Sequence, residues 1–308
     1  MMGEIAQFPD YSPVDISIRD QLLAYTARYE PYSDFNYTNM VSWDVTGGAR
    51  VALLNGNLVA RFPDYLNGSE FYSYLGDTQV DATVEILLNE AERCTPTREL
   101  RLVPAVGTLA LANSTEYSLA EDVDGHDYVI SLTDIVRKHG SSFRHMRHEI
   151  NHFYTRHGQA TLFSELDLTD PGTQGDVFKV FLNREKTKLD NDHENRAESE
   201  LMALGRLFSA ADLSMLSAYG LTIDGNLKAF MISERIDQEW YTGHFWKADT
   251  HYRGIYRYLM HQVAERLVQD GGSLMNIEQD LGIGGLRRMK QQFNPISQLK
   301  KYTITDSR

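Results

Sequence analysis

The chain has 308 residues, 42% of them hydrophobic and 11% aromatic, which is enough apolar surface for two ordinary domains or one large one. Its 30 basic and 43 acidic residues give a formal net charge of −13, which excludes a general nucleic-acid coat and confines any phosphate-bearing partner to a local basic patch. The single cysteine, Cys94, excludes an intramolecular disulfide and a multi-cysteine zinc site. Residues 1–10 lack an apolar signal core, and no apolar run approaches the roughly 20 residues that span a bilayer. We therefore expect a cytoplasmic protein without an integral membrane segment.

The first half of the chain contains one clear hairpin. Asn55-Gly56 lies between two apolar runs, and this pair favours a tight turn because both of its residues adopt positive φ. Helices are predicted over residues 16–29 and 80–93, and strands over residues 99–103 and 128–132. Residues 167–175 are dense in turn formers. We therefore predict an N-terminal domain of residues 1–165 and a C-terminal domain of residues 166–308.

The second half repeats the hairpin signal at Asp224-Gly225, which indicates a duplication. A helix ending near Ala210 precedes this hairpin, and Gly243 predicts a bulge in the strand that follows. The remaining elements are predicted in the order strand, helix, strand, helix, strand, at residues 240–248, 255–267, 274–277, 284–293 and 298–304. The pattern indicates the α+β (mixed α/β) class.

A basic, histidine-rich run occupies residues 137–157. Arg144, His148, His152 and Arg156 recur every fourth residue, so on a helix they share one face. Such a concentration in an acidic protein is a candidate site for CoA phosphates, a tRNA acceptor stem or a lipid head group. The alternative is a solvated helix face.

The same run contains H-E-x-x-H, from His148 to His152, a spacing that can hold zinc beside a glutamate. The basic neighbours Arg144, Arg147 and Arg156 would oppose a dication. We therefore predict no metal site and rank zinc hydrolysis as a less favoured alternative.

The residues with the strongest functional signal lie near the end of the chain. Glu278 and Asp280 follow a short apolar run, and a glycine-rich turn then leads to a basic helix with Arg287 and Lys290. This arrangement is typical of a site for an anionic ligand at a sheet edge. Glu278 is the candidate general base, and Asp280, Arg287 and Lys290 are candidate substrate- or anion-binding residues. Helix capping and ion pairing among these side chains are the alternatives.

The string from Asn276 to Lys290 reads N-x-E-Q-D-L-G-I-x-G-L-R-x-x-K, with Asn294-Pro295 and Lys301-Tyr302 downstream, and it resembles the phosphatidylglycerol lysyltransferase C-terminal-like family. Residues 34–43 and 125–134 resemble further segments of that family. The resemblance implies two tandem acetyltransferase-type (GNAT-like) domains, each with a mixed, mostly antiparallel sheet flanked by helices. Tyr302 would then be a second catalytic candidate, as proton donor to the leaving group.

The resemblance also implies a donor site after the strand of residues 240–248. In a GNAT-like fold the backbone amides of the loop there hold a pyrophosphate at a helix N-terminus. The candidate donor-binding residues are Lys247, Ala248, Thr250, Arg253 and Gly254. Only one glycine follows Arg253, so the R/Q-x-x-G-x-G/A loop that is usual in acetyltransferase-type folds is absent. A plain helix start with a surface arginine is the alternative.

The leading hypothesis is a transferase that moves an activated acyl or aminoacyl group to an amine or hydroxyl in a cleft between the two domains. The donor would be acyl-CoA or aminoacyl-tRNA, used as a substrate, with no tightly bound cofactor. The acceptor would be a small molecule or a lipid head group. The rival hypothesis is a non-catalytic ligand-binding protein of the same fold.

Overall fold

Two mixed sheets organise the protein, and the computed structural model describes residues 3–44, 46–64, 68–95, 97–186 and 192–307. In these residues each sheet has seven strands. The first sheet has the order β1-β2-β3-β4-β5-β14-β6. Its strands are β1 (Ser12–Pro13), β2 (Arg50–Leu54), β3 (Asn57–Pro63), β4 (Glu70–Leu75), β5 (Glu99–Pro104), β6 (Tyr117–Glu121) and β14 (Lys301–Asp306).

The second sheet has the order β13-β7-β12-β11-β10-β9-β8. Its strands are β7 (Asp127–Ser131), β8 (Thr161–Glu165), β9 (Leu216–Ile223), β10 (Asn226–Arg235), β11 (Trp240–Ala248), β12 (Leu274–Asn276) and β13 (Ser297–Leu299). The helices are α1 (Arg19–Thr26), α2 (Tyr37–Ser42), α3 (Val80–Cys94), α4 (Ala105–Thr108), α5 (Leu132–Arg137), α6 (Arg144–His157), α7 (Pro171–Lys186), α8 (Asp192–Ala210), α9 (Ile255–Gln269) and α10 (Gly284–Gln291). None of the described helices is both long and apolar enough to cross a bilayer.

The two sheets repeat one plan. Each begins with a hairpin, β2–β3 or β9–β10, whose two turn residues both have positive φ: Asn55 and Gly56 at 53° and 84°, Asp224 and Gly225 at 49° and 75°. Each hairpin leads to an antiparallel strand, a helix of 15 residues and a strand that pairs parallel to the one before the helix. The predicted hairpins and fold class are therefore confirmed.

The sheets exchange strands. β7, from the first half of the chain, pairs with β12 and β13 in the second sheet, and β14, from the end of the chain, pairs with β5 and β6 in the first sheet. Apolar residues of both sheets share one core, in which Phe35 and Phe62 pack with Val129 and Leu299. The domain boundary between residues 165 and 166 stays a prediction, and each sheet contains strands from both sides of that boundary.

Two sequence interpretations need correction. The turn-rich stretch at residues 167–175 contains the start of α7, because Asp170 accepts a hydrogen bond from the amide of Thr173 at 2.8 Å and Pro171 opens the helix. The single strand predicted over residues 298–304 is two strands, β13 and β14. The chain passes from the second sheet to the first at Lys300, between them.

Candidate active site

A β-bulge places His244 at the centre of the site. Ile232 of β10 lies opposite Phe245, and the next residue, Ser233, lies opposite Gly243, so His244 is an extra residue on β11. A bulge redirects the side chain of its extra residue and is common beside active sites. The bulge predicted at Gly243 is thus confirmed, and the buried imidazole of His244 is its consequence.

Glu278 emerges where two parallel strands separate. β11 and β12 pair only from Trp240–Thr242 and Leu274–Asn276, after which β12 ends and the chain turns away. In this turn Glu278 has φ 61°, a left-handed conformation that costs a non-glycine residue free energy and is common at functional sites. The surrounding structure holds the turn: the Glu278 amide donates to Asn276 Oδ1 at 2.6 Å, and its carbonyl accepts from the amide of Tyr128 at 3.1 Å.

His244 lies between two glutamates. Its Nε2 is 3.0 Å from Glu234 Oε2, and its Nδ1 is 2.9 Å from Asn39 Oδ1 and 3.3 Å from Glu278 Oε1. Asn39 Nδ2 donates to Glu278 Oε1 at 2.8 Å and to the carbonyl of Ser33 at 3.1 Å. Glu234 is buried, whereas 16% of the Glu278 side chain is exposed. Glu278 is therefore the member of this group that a substrate can reach.

The charges of this group stabilise each other. Burial alone would lower the pKa of His244, but its hydrogen bonds to Glu234 and Glu278 outweigh that effect and raise the pKa to about 9. Burial would likewise raise the pKa of Glu234, yet the hydrogen bond and charge of His244 keep it below its usual value. These interactions favour a positively charged His244 between Glu234 and Glu278.

A second buried group joins the two sheets beside the first. Lys301 Nζ, on β14, forms ion pairs with Asp34 and with Asp127 of β7, the latter at 2.8 Å. Asp127 also accepts from the amide of Ser33 at 2.8 Å and from Asn276 Nδ2 at 3.2 Å. Burial would lower the pKa of Lys301, but the two carboxylates raise it. The group is fully hydrogen-bonded at its centre, as buried charges require.

A small pocket, open to solvent, lies beside these two groups, and its enclosed part has room for about one water molecule. Asp34, Asn39, Trp43, Asp44 and Phe62 are among its lining residues, and its accessible surface is mainly apolar. The Asp34 carboxylate is buried and paired with Lys301. Asn39 belongs both to this lining and to the contacts of Glu278. The pocket therefore places a largely apolar, partly aromatic surface near the partly exposed glutamate.

The other predicted residues of the C-terminal string have partners within the protein. Asp280 accepts from Arg287 Nε at 2.7 Å and from the hydroxyl of Tyr128 at 2.6 Å; burial would raise its pKa, but the hydrogen bonds from Arg287 and Tyr128 lower it. Lys290 is buried, which lowers its pKa to about 8, and its Nζ donates to the carbonyls of Ile277 and, at 2.6 Å, Gln279. In this geometry these side chains hold the turn that carries Glu278, and their predicted binding roles stay predictions.

Tyr302 lies next to Lys301 on β14. Because successive side chains of a strand point to opposite faces, Tyr302 points away from the face on which Lys301 meets Asp34 and Asp127. The structure thus separates Tyr302 from Glu278, and its role as proton donor stays a prediction.

The predicted donor loop packs against another helix at Gly254, whereas Thr250 and Arg253 are exposed. Gly254, with φ 88°, precedes α9, and a methyl carbon built on it would collide with the Glu149 carbonyl oxygen of α6 and lie 3.2 Å from Phe153 Cβ. The Arg253 guanidinium bonds to the Glu149 carboxylate, with Nη2 2.7 Å from Oε1. Lys247 Nζ donates to Glu200 at 2.7 Å. Of the remaining donor-loop candidates, Ala248 is buried at the end of β11, and Thr250 lies in the turn that follows.

The basic residues of α6 form an exposed face. Met146, Ile150 and Phe153 of this helix are buried. Arg144, His148 and Arg156 are exposed and His152 is half-buried; these four residues are called the α6 basic face below. The pKa of His152 is lowered by desolvation and by the charges of Arg156 and Arg253. The glutamate of H-E-x-x-H points to Arg253 and not to the two histidines.

Sequence reasoning missed His244, Glu234, Asn39 and Lys301. The adjoining Gly243 was a usable signal, because a bulge and a histidine coincide in an otherwise apolar strand. A second usable signal was Asn36, whose side chain caps α2 by accepting a hydrogen bond from the amide of Asn39 at 2.9 Å.

The sequence model of the family described as "Phosphatidylglycerol lysyltransferase, C-terminal" matches residues 26–305. No curated protein matches the chain. The fold is similar to a conserved protein of unknown function from Bacteroides thetaiotaomicron VPI-5482, with 21% identity over 96% of this chain and 98% of that one and a TM-score of 0.75.

Two further structures share the fold. L-PGS from Bacillus licheniformis has 15% identity over 98% of this chain and 94% of that one, with a TM-score of 0.58. A tandem GNAT protein from the clavulanic acid biosynthesis pathway has 12% identity over 96% and 97% of the two chains, with a TM-score of 0.50. The match over residues 26–305 and the repeated sheet plan lead to one assignment: the chain belongs to the phosphatidylglycerol lysyltransferase C-terminal family and has a tandem GNAT-like fold.

Proposed function

We propose that the protein transfers an aminoacyl group from aminoacyl-tRNA to an amine or hydroxyl acceptor bound beside Glu278. Family membership and the GNAT-like fold support an acyltransferase-type function. The observation that carries the proposal is Glu278 itself, a partly exposed carboxylate held where β11 and β12 separate.

Glu278 would act as the general base. The acceptor X–H attacks the carbonyl carbon of the aminoacyl ester, forming the C–X bond while the bond to the ribose oxygen breaks. The proton of X–H passes to Glu278 and then to the ribose oxygen that leaves. Its bonds to His244 and Asn39 both fall on Oε1, so these contacts leave the other oxygen for the acceptor.

The donor loop supports aminoacyl-tRNA over acyl-CoA. A pyrophosphate at the start of α9 would need exposed backbone amides and an uncompensated arginine. Here α6 packs on Gly254, and Glu149 already forms an ion pair with Arg253. A carboxylate at this point also repels phosphate.

The α6 basic face offers a different binding surface for a phosphate backbone. Arg144 and Arg156, on one exposed helix face of a protein with net charge −13, concentrate positive potential on that surface. We assign this face to the tRNA backbone, whose neutralisation by arginines releases counterions and makes affinity depend on salt.

The test compares donors directly. The purified protein is titrated with acetyl-CoA, with uncharged tRNA and with tRNA charged with a labelled amino acid, and label transfer is followed to small amines and to phosphatidylglycerol vesicles. We expect tRNA binding and transfer, with Glu278→Gln reducing transfer by about 10²-fold or more while leaving tRNA affinity unchanged. Glu92→Gln, at an exposed position of α3, is the matched control.

Salt dependence tests the α6 basic face. The double variant Arg144→Ala/Arg156→Ala should reduce the magnitude of the slope of log affinity against log salt by roughly 1–2. Arg93→Ala/Lys179→Ala removes the same charge from two other exposed positions and should leave the slope unchanged. Binding of acetyl-CoA without tRNA would contradict the proposal, and binding of neither would favour the non-catalytic protein.

A further inference from the structure

The hydrogen bonds around His244 determine which of its atoms carry protons. Asn39 Nδ2 lies 2.8 Å from Glu278 Oε1 and 3.1 Å from the Ser33 carbonyl oxygen, which can only accept. The amide orientation of Asn39 is therefore fixed, and its Oδ1, 2.9 Å from His244 Nδ1, is an acceptor. Nδ1 must then donate.

The other ring nitrogen donates as well. His244 Nε2 faces Glu234 Oε2 at 3.0 Å, and Asn36 Nδ2 donates to the same oxygen at 2.9 Å. Because the pKa of Glu234 is lowered, this oxygen is an acceptor for both donors. With both ring nitrogens donating, His244 is an imidazolium. This conclusion rests on the donor and acceptor geometry together with the ionised Glu234, and the raised pKa of His244 agrees with it.

Glu234 and Glu278 differ in what they can do. Glu234 is 1% exposed and faces only the protein, so its charge serves His244. Glu278 is partly exposed, and one of its oxygens is bonded to both His244 and Asn39. Without a fixed cation behind it, a glutamate in a left-handed turn would have several rotamers available.

We propose that His244, held by Glu234, is a positioning residue that keeps the Glu278 carboxylate aimed at the acceptor. The inference rests on the proposed role of Glu278 as the base. The arrangement is a carboxylate–imidazolium–carboxylate chain of Glu234, His244 and Glu278. The buried Glu234 keeps His244 positively charged, and His244 orients the partly exposed Glu278.

Other charged groups also face this chain. Lys290 of α10 interacts electrostatically with Glu278, and Lys301, Asp127 and Asp280 with Lys290. Asp34 joins the same neighbourhood through Gln279, whose Nε2 lies 3.3 Å from Asp34 Oδ1. These groups are present in every variant below, so differences between variants report on the chain itself.

Histidine nitrogen NMR tests the charge state without any substrate. We expect His244 to show both nitrogens protonated at pH 7.5 and to titrate near pH 9, and Glu234→Gln to lower this titration by more than about one pH unit. Glu278→Gln should lower it as well, and Glu234→Asp, which keeps the charge, should restore it. His261→Gln removes another buried histidine, paired with Glu265 on α9, and provides the spectral and folding control.

The transfer assay then tests the consequence. Glu234→Gln should reduce kcat about tenfold or more with KM nearly unchanged and should move the alkaline limb of the pH profile to lower pH, whereas Glu234→Asp should recover most of kcat. A neutral His244 in the native protein at pH 7.5, or a His244 titration that Glu278→Gln does not move, overturns the inference. If no donor supports transfer, the proposed function fails, while the NMR titrations still decide whether Glu278 and His244 are coupled.

Discussion

The Gly254→Ala variant tests whether α6 packs against the donor loop at Gly254. Gly254 has φ 88°, so alanine there costs about 1–2 kcal/mol from backbone conformation alone. The added methyl group would also collide with the Glu149 carbonyl oxygen, which is backbone and cannot rotate away. Forcing the two helices apart by such a contact costs a further 1–3 kcal/mol or so. The sum is a loss of about 2–5 kcal/mol in the free energy of unfolding.

Gly225→Ala separates the two contributions. Gly225 has φ 75°, and no heavy atom of the described residues lies within 4 Å of the position its Cβ would take. Its alanine variant should therefore lose only the conformational part, about 1–2 kcal/mol. The difference between the two variants isolates the contact between α6 and α9.

Urea unfolding followed by circular dichroism measures both free energies, provided that the m-values agree. Equal losses in the two variants would refute the packing of α6 on the loop, and with it the argument against a pyrophosphate site. A folded Gly254→Ala protein that gains acetyl-CoA binding would indicate that displacing α6 opens such a site.

Three further predictions concern the scaffold of the site. Asp280→Asn should lower the free energy of unfolding at pH 7 by about 2–4 kcal/mol, because it breaks the pair with Arg287. The lowered pKa of the Asp280 carboxyl stabilises the fold above about pH 4, and this stabilisation is lost as pH falls. The difference in unfolding free energy between the native protein and Asp280→Asn, measured with urea, should therefore shrink in acid. Lys290→Met should reduce kcat about tenfold with little change in KM, because it releases the turn that carries Glu278. Fragments cut after residue 165 should each fail to show cooperative unfolding alone, because each sheet takes strands from both; a folded single fragment would contradict this.

Local signals in the sequence predicted much of the fold. Asn55-Gly56 and Asp224-Gly225 specify their hairpins because a tight turn needs two positive φ values, and Gly243 marked the bulge for a similar steric reason. The apolar stripe of α9 predicted its buried face, including Leu259 and Val263. Each of these features depends on neighbours in the chain.

The site could be predicted only in part, because its contacts are not local. Glu278 was recognisable from its place after a short strand, but its partners Asn39 and His244 lie 239 and 34 residues away. No periodic pattern in the sequence predicts contacts between residues so far apart in the chain. Asp280, Arg287 and Lys290 have the composition of an anion site, and only the structure reveals that Arg287 and Lys290 bind a carboxylate and two carbonyls of their own protein.

The exchange of strands links the two sheets beside the site. β7 carries Asp127 into the second sheet and β14 carries Lys301 into the first, so the ion pair between them crosses from one sheet to the other. Both residues are fully buried, and separating them would leave charges without partners at a cost of several kcal/mol per ion. A hinge between the sheets would have to break this pair. Glu278, whose contacts include Asn39 from the first half and His244 from the second, is therefore positioned before any substrate arrives.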